Sequence, residues 1–355
     1  MAGVSSPARA QIGSDRYASV VMDAGSGAVL SAANADDLRY PASLTKLMTL
    51  YLTFEALRDH RIALTDPVPV SAHAASMSPT KLGLLPNMRL TVEEAILGLV
   101  TKSANDAAAA LGEFLGGDED RFAEMMTLRA RSLGMTHTVF RNASGLPDPD
   151  MVSTAHDLAT LARHLITDFP NDYGYFSTPG FVWHGRMILN HDHMLQTYPG
   201  ADGLKTGYTQ AAGCNLVTSA ERDGVRLIGV VLGASTGAER DIHMAQLLDA
   251  GFEQENVPSV QRQPVMTARF PSFIGSARAA PVPISRATAR MIRRVQPGSW
   301  AAHPVVHHAA APAAAHSRVH PRPIAQEQLH IVTAHHASAE RPTAALPVIR
   351  VGALH

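Results

Sequence analysis

Two pairs of short apolar runs, at opposite ends of residues 15–256, constrain the fold more than any other feature of the sequence. Residues 17–30 predict two strands around a Gly-Ser-Gly turn. Residues 214–221 and 225–234 are apolar runs joined by Arg222-Asp223-Gly224, and Asp-Gly is a strong hairpin signal. Strands at both ends of the segment predict an α/β domain whose sheet is assembled from parts of the chain that are distant in sequence.

The residues between the two strand pairs predict helices. From Ser43 to Leu57 apolar residues recur at helical spacing, and Pro41 precedes them. Thr91, with Glu94 three residues later, is a capping-box signature for a helix toward Val100. The stretch 71–88 is predicted as a polar, Pro-containing loop. Further helical patterns cover 104–115, 119–133, 154–167 and 237–252. We therefore predict a domain over residues 15–256 with a mostly helical insert.

The composition changes after Val257. Residues 257–355 are rich in Ala, Pro, Arg and His, with eleven arginines against two glutamates although the whole chain has a net charge of -1. This composition predicts a low-complexity, largely disordered C-terminal tail. Its positive charge indicates either attraction to an anionic surface or a solvated linker. Nine of the eighteen histidines lie in this tail, but their spacing is irregular for metal ligands, so we assign no metal site.

The N-terminal residues contain a short match to a signal-peptidase site. Ala8-Arg9-Ala10 followed by Gln11 has the small-x-small pattern of a signal-peptidase site, but no charged start or apolar stretch precedes it. We interpret residues 1–14 as the end of a missing or truncated signal peptide, with a chance match as the alternative. The sequence contains no run of about 18 apolar residues, which predicts no transmembrane helix.

Ser43 and Lys46 form the first candidate catalytic pair. Residues at i and i+3 share a helix face, so the Lys46 amine can reach the Ser43 hydroxyl. A serine needs an adjacent base to become a nucleophile, and a buried lysine can supply one. The alternative is a helix-capping serine followed by a solvated lysine. Lysine is scarce in this chain, occurring only at 46, 81, 102 and 205, which favours a role that arginine cannot fill.

Ser103-Ala104-Asn105 lies between two predicted helices and supplies a hydroxyl and an amide. The hydroxyl could relay a proton and the amide could bind a peptide carbonyl. The alternative is an ordinary helix N-cap, where Ser and Asn are both favoured.

Lys205-Thr206-Gly207 combines a cation, a hydroxyl and a residue without a side chain. On a strand, these residues would form one wall of a cleft that binds a carboxylate, with Gly207 allowing close approach of a ligand. The alternative is a turn that enters a strand.

The order and spacing of these three elements resemble the active sites of the penicillin-recognising serine enzymes. Within that superfamily the chain most resembles the low-molecular-mass D-alanyl-D-alanine carboxypeptidases, from about Tyr17 to Phe252. The matching stretches are 40–46, 103–107, 142–146 and 202–207. The resemblance implies the DD-peptidase/β-lactamase-like α/β fold, in which helices flank an antiparallel sheet.

The same resemblance implies the catalytic roles. Ser43 attacks the carbonyl of the penultimate D-Ala in a peptidoglycan stem peptide, and the terminal D-Ala leaves. Lys46 accepts the Ser43 proton, and Ser103 helps to pass a proton to the leaving amine. No cofactor, metal or nucleic-acid partner is implied.

The implied substrate contacts come from two further regions and Asn105, which binds the substrate amide. Lys205 adds positive potential, Thr206 binds the terminal carboxylate, and Gly207 leaves room for the ligand. The backbone N–H groups of Ser43 and Tyr208 form the oxyanion hole. Arg240 matches, by its spacing from Lys205, an arginine that faces the substrate carboxylate.

The resemblance also implies partners, a location and alternatives. β-Lactams would be covalent inhibitors, and the enzyme would work in the periplasm or cell envelope. The alternatives are a DD-endopeptidase that cuts cross-links, a β-lactamase, and a non-catalytic envelope-binding protein. No glutamate lies between Asn142 and Lys205 to activate a deacylating water, which disfavours a β-lactamase. Residues 257–355 show no strand alternation and no amphipathic terminal helix, so we expect the basic tail to contact an anionic envelope surface instead.

Overall fold

The computed structural model describes residues 14–258. The predictions for residues 1–13 and 259–355, including almost all of the basic tail, lie outside the described residues. Among the described helices, none combines the length and apolar character needed to cross a membrane.

The described chain contains short strands at both ends and helices in the middle. The strands are β1 (Ala18–Asp23), β2 (Val29–Ala33), β3 (Pro67–Pro69), β4 (Arg89–Thr91), β5 (Gly180–Trp183), β6 (Arg186–Leu189), β7 (Ala201–Thr209), β8 (Gly213–Arg222) and β9 (Val225–Ala234). The helices are α1 (Lys46–Arg58), α2 (Ala72–Ser76), α3 (Val92–Leu97), α4 (Asn105–Gly116), α5 (Glu119–Ser132), α6 (Ala155–Asp168), α7 (Met194–Thr197) and α8 (Gly237–Gln254). Two 3₁₀ turns, Ala42–Thr45 and Tyr173–Ser177, and a π-helical turn, Gly98–Lys102, complete the list.

One antiparallel sheet joins the two ends of the domain. Its strand order is β2-β1-β9-β8-β7, and β1 pairs with β9 along its whole length. The pairs β3–β4 and β5–β6 form separate two-stranded ribbons. The structure therefore confirms the α/β prediction of a sheet assembled from distant segments, with a mostly helical insert between β2 and β7.

Helices cover both faces of the sheet. The helix α8 packs on β8 and β9 on one face, and α6 packs on β1 and β9 on the other. Adjacent strand residues such as Val20 and Val21 belong to different apolar clusters, because successive side chains of a strand point to opposite faces. Burial from both sides explains why β8 and β9 are nearly continuous apolar runs.

The structure differs from the sequence prediction mainly at helix ends. The predicted helix from Ser43 begins as a 3₁₀ turn and becomes α-helical only at Lys46. The capping box of Thr91 and Glu94 is present, but the helix widens into the π-helical turn at Gly98. The loop predicted over 71–88 contains α2.

The sequence analysis did not predict the β5–β6 ribbon. Its strands have four residues each, and most of their side chains are at least partly exposed. The only local sequence signal was the dipeptide His184-Gly185 between the two strands. In the structure both residues have positive φ, as the two central residues of a tight hairpin turn require.

Candidate active site

Ser43 and Lys46 lie in contact at the start of α1. The Lys46 Nζ is 3.0 Å from Ser43 Oγ, and the Lys46 side chain is completely buried. Thr45, not Ser43, precedes the first residue of α1, and it makes no side-chain capping bond. The interpretation of a capping serine with a solvated lysine is therefore wrong.

The Lys46 amine has two further partners, and both are hydrogen-bond acceptors only. Nζ lies 2.7 Å from Asn105 Oδ1 and 2.5 Å from the carbonyl oxygen of Ser144. A neutral amine has two N–H groups and one lone pair. If the two N–H groups bind these two oxygens, the lone pair faces the Ser43 hydroxyl. This arrangement suits an amine that takes a proton from the serine.

The surroundings of Lys46 favour the neutral amine. Burial lowers the pKa of Lys46 well below its usual value, and the positive charge of Lys205 lowers it further. The carboxylates of Asp106 and Glu119 act in the opposite direction on the same pKa.

Ser103 presents a hydroxyl that has no partner in the part of the chain that the structure describes. It follows the π-helical turn in the left-handed region, with φ 58° and ψ 39°. Its Oγ is buried and has no hydrogen-bond partner among residues 14–258, whereas its carbonyl oxygen accepts a bond from Thr80 Oγ1. Ala104 occupies the N-cap position of α4, so the N-cap interpretation of Ser103 is wrong.

Asn105 connects Lys46 to the loop before β4. Its Oδ1 accepts from Lys46, while its Nδ2 donates to the carbonyl oxygen of Ser78 at 3.1 Å. Its backbone N–H donates to the carbonyl oxygen of Thr80. Its side chain therefore fixes the lysine, and one N–H of the amide has no protein partner among the described residues.

Lys205 lies on β7 as a second buried lysine. Its Nζ donates to the carbonyl oxygen of Thr206 at 3.0 Å. Burial and Arg240 lower the pKa of Lys205 and Asp192 raises it, with a net value of about 7. The strand position confirms the local prediction for this motif and excludes the turn interpretation.

Gly207 brings β7 against the serine. A Cβ at this position would lie 3.2 Å from both the Ser43 nitrogen and the carbonyl oxygen of Pro41. The Asn215 amide on the neighbouring β8 donates to the carbonyl oxygens of Tyr40 and Pro41. The serine turn is thus held directly on the sheet.

All nine predicted site residues except the buried lysines line one cleft of about 420 Å³. The lining includes Ser43, Ser103, Asn105, Thr206, Gly207, Tyr208 and Arg240. Tyr208 stands at the rim with 65% of its surface exposed. Arg240, on α8, is buried and binds Asp241 and the carbonyl oxygen of Asn215. No aspartate or glutamate belongs to the lining within residues 14–258.

The sequence reasoning missed two buried carboxylates near the site, Asp106 and Asp192. Asp106 accepts hydrogen bonds from the N–H groups of Leu82, Gly83 and Leu84 and so anchors the loop that leads to β4. Asp192 is buried, and one of its carboxylate oxygens has no hydrogen-bond partner among the described residues. The only signal for Asp106 was its place directly after Asn105, and Asp192 had none.

Comparison with known proteins places this geometry in a family context. The family model described as D-alanyl-D-alanine carboxypeptidase, peptidase S11, matches residues 4–236. The D-alanyl-D-alanine carboxypeptidase DacF of Bacillus subtilis is 36% identical over 252 residues, which are 69% of this chain and 64% of the relative. The chain thus spans less than two thirds of that relative's length.

Solved structures show the same fold. Penicillin binding protein 5 from Haemophilus influenzae is 36% identical, with a TM-score of 0.66 and coverage of 71% of this chain and 73% of that one. Penicillin-Binding Protein D2 from Listeria monocytogenes in its ampicillin-bound form is 33% identical, with a TM-score of 0.58 and coverage of 66% and 96%. The fold that the resemblance implied is confirmed.

Proposed function

Because the chain belongs to the peptidase S11 family of D-alanyl-D-alanine carboxypeptidases, we propose that it removes the terminal D-Ala from peptidoglycan stem peptides through an acyl-enzyme on Ser43. One observation carries this proposal. The buried Lys46 amine lies between two carbonyl-type acceptors and the Ser43 hydroxyl, as a general base must to activate that serine.

The acylation step follows from this contact. Lys46 Nζ takes the hydroxyl proton as Ser43 Oγ attacks the carbonyl of the penultimate D-Ala. The negative charge that develops on the carbonyl oxygen is stabilised by the N–H groups of Ser43 and Tyr208. Loss of one such donor typically costs about 10²–10³ in rate.

Ser103 completes the first half-reaction. Its hydroxyl, which has no hydrogen-bond partner within residues 14–258, is available to relay the proton taken up by Lys46 to the amine of the leaving D-Ala as the peptide bond breaks. Water then attacks the Ser43 ester, and the shortened peptide leaves with the new carboxyl group. The balance is one peptide bond hydrolysed by one water.

The substrate carboxylate is proposed to bind on the β7 side of the cleft. Thr206 offers a hydroxyl there. Arg240 in the cleft lining and the buried Lys205 next to Thr206 supply positive potential. Asn105 holds the substrate amide through the side-chain N–H that has no partner within the described segment. The absence of acidic side chains from the described cleft lining agrees with an anionic substrate terminus.

β-Lactams are the proposed covalent inhibitors. Two of the similar structures are named penicillin-binding proteins, and one of them contains ampicillin. The proposed site of action is the periplasm or cell envelope, because stem peptides lie there. Residues 15–256 would form the catalytic domain, and the arginine-rich residues 257–355 would contact an anionic envelope surface.

A fluorescent penicillin tests the proposal directly. The wild-type protein should carry a covalent label on a denaturing gel, and Ser43→Ala should not, although both have the same circular dichroism. Release of D-Ala from a stem pentapeptide should disappear in the same variant. Folded wild-type protein without label would overturn the catalytic proposal and favour the non-catalytic envelope-binding alternative.

Muropeptide analysis distinguishes the peptidase alternatives. A carboxypeptidase converts monomeric pentapeptides into tetrapeptides and leaves cross-linked dimers intact. Conversion of dimers into monomers would instead show the DD-endopeptidase.

A further inference from the structure

Glu119, in the first turn of α5, joins the loop that contains Ala143 to the helix α2. Its Oε1 accepts a hydrogen bond from the backbone N–H of Ala143 at 2.9 Å. Its Oε2 lies 2.6 Å from His73 Nε2. The Glu119 side chain is only 10% exposed and its bond to Ala143 is partly buried, whereas the His73 side chain is 54% exposed and this second contact lies at the surface. A carboxylate with both oxygens engaged in different segments fixes them relative to each other.

The first of these segments holds the proposed base. Ala143 accepts at its carbonyl oxygen from Thr49 Oγ1 of α1, at 2.7 Å. The next carbonyl, that of Ser144, is the oxygen that lies 2.5 Å from Lys46 Nζ. The bond between Glu119 and the Ala143 N–H therefore holds the neighbouring Ser144 carbonyl oxygen in position. The position of this oxygen in turn determines the direction of the Lys46 lone pair.

The second segment leads to the cleft wall. His73 lies in α2, and the chain that follows α2 supplies the Ser78 carbonyl oxygen that accepts from Asn105 Nδ2. Asn105 Oδ1 is the other acceptor of the Lys46 amine. The two acceptors of the Lys46 amine are therefore both connected to the Glu119 carboxylate. The Ser144 carbonyl is connected through the Glu119–Ala143 bond, and Asn105 is connected through the Glu119–His73 and Asn105–Ser78 contacts.

The charges around this link are mixed. Lys46 is influenced by Asp106 of α4, Glu119 of α5 and Lys205 of β7. The His73 imidazole is influenced by Glu119, Glu113 and Asp120, and its hydrogen bond to Glu119 raises its pKa. Asp118 and Arg141 line the surface pocket into which this pair opens.

We propose that Glu119 is a positioning residue for acylation: it holds the Ser144 carbonyl against Lys46 and adds a negative charge that this lysine senses. This inference rests on the proposed acylation of Ser43. Glu119 touches neither substrate nor reacting atoms, so it acts through Lys46 alone.

Two variants separate its two effects. Glu119→Gln keeps an oxygen for the Ala143 N–H but removes the charge, so the pKa of Lys46 should fall. Because the base must be neutral, the acid limb of the labelling rate against pH should move about 0.5 pH unit toward acid. Glu119→Ala also releases the loop, and labelling at the pH optimum should slow about tenfold.

The matched control is Asp120→Asn, which removes an exposed acidic charge from the same helical turn. Its pH profile and labelling rate should equal those of the wild type. Melting temperatures recorded in parallel identify a purely structural effect, which would lower stability without moving the acid limb.

Each outcome decides one question. The inference about Glu119 is overturned, and the proposed function is not, if three results occur together. The wild type is labelled, the acid limb of Glu119→Gln does not move, and the labelling rate of Glu119→Ala is unchanged. A wild-type protein that is not labelled overturns the proposed function itself. If Glu119→Ala does not fold, the near-isosteric Glu119→Gln still decides through its pH profile.

Discussion

Two buried lysines, Lys46 and Lys205, lie on different elements behind the residues that line the cleft, with Lys46 against Ser43 and Asn105 and Lys205 against Thr206. Both have lowered pKa values, chiefly because burial disfavours the charged form. Their proposed roles nevertheless require opposite protonation states, since Lys46 must be neutral to accept a proton and Lys205 must be charged to attract a carboxylate. Activity should therefore fall at acid pH as Lys46 becomes protonated and at alkaline pH as Lys205 loses its proton.

Lys46→Arg tests whether the amine acts as a base. Arginine retains the positive charge but cannot be deprotonated, so the rate of penicillin labelling should fall by about 10²–10⁴. The exposed Lys81→Arg serves as control and should be labelled at the wild-type rate. Comparable labelling of Lys46→Arg and wild type would assign the proton to another acceptor.

Asp192→Asn tests what keeps Lys205 charged. Asp192 raises the pKa of Lys205 toward about 7, against burial and Arg240. Without this carboxylate the pKa of Lys205 falls, so the alkaline limb of the labelling rate should move to lower pH. The exposed Asp223→Asn, at the β8–β9 turn, should leave that limb in place. An alkaline limb that stays fixed in Asp192→Asn would exclude Lys205 as the titrating group.

The sequence predicted the residues that do chemistry better than those that support them. Lys46 and Lys205 could be recognised because lysine is scarce in an arginine-rich chain, and Ser43 because it lies three residues before one of these lysines. Asp192 and Glu119 could not, because each acts on a lysine that is distant in sequence. Only the folded contacts, such as the Glu119 bond to Ala143, show which side chains those are.

At the scale of elements, the loop from Asn142 to Gly145 is packed on the serine turn. Gly145 has φ 82°, and a Cβ there would lie 1.9 Å from the carbonyl oxygen of Ala42. Ala42 itself has φ 51°, so two left-handed residues meet beside Ser43. An added methyl group must displace one of these backbones.

Gly145→Ala should therefore lower stability and slow acylation together. The left-handed conformation alone costs about 1–2 kcal/mol, and the collision adds to it. Gly134→Ala is the matched control, because Gly134 has φ 87° with nothing within 4 Å of the added Cβ. It should lose about 1 kcal/mol in urea unfolding and keep its labelling rate. Equal labelling rates for both variants would show that the serine turn tolerates movement of this loop.

Element types followed from periodicity, whereas element ends could be predicted only where a local turn or capping signal marks them. The Asp-Gly hairpin between β8 and β9 and the capping box at Thr91 are local signals, and both are present as predicted. The 3₁₀ turn at Ser43 and the π-helical turn before Ser103 have no such signals. At the serine turn the sheet fixes the backbone, as the contacts of Asn215 with the carbonyl oxygens of Tyr40 and Pro41 show.

At the scale of the whole molecule, the cleft lies where the helical insert meets the sheet. Ser43 and Ser103 come from the insert, and Thr206 to Tyr208 come from β7. Neither part forms the site without the other, which is why residues distant in sequence could be predicted to meet only through the family resemblance.

The composition of this cleft predicts slow release of penicillin. Within residues 14–258 no carboxylate lines the cleft to activate a water for deacylation. Mixing with nitrocefin should give a burst of about one equivalent per chain, followed by much slower turnover. Sustained rapid hydrolysis after the burst would instead revive the β-lactamase alternative.

The strand β7 lies at the edge of the sheet, where it can bind an extended peptide. It ends the sheet order, and among the described strands it is hydrogen-bonded only to β8. An edge strand presents unpaired backbone groups to which an extended chain can add as a further strand. A guest strand bound in this way is recognised largely by its main chain, and every second side chain points away from the host surface. Such a template tolerates branches and attachments on its ligand, which suits the proposed substrate, a stem peptide that remains attached to a polymer while one of its bonds is cut.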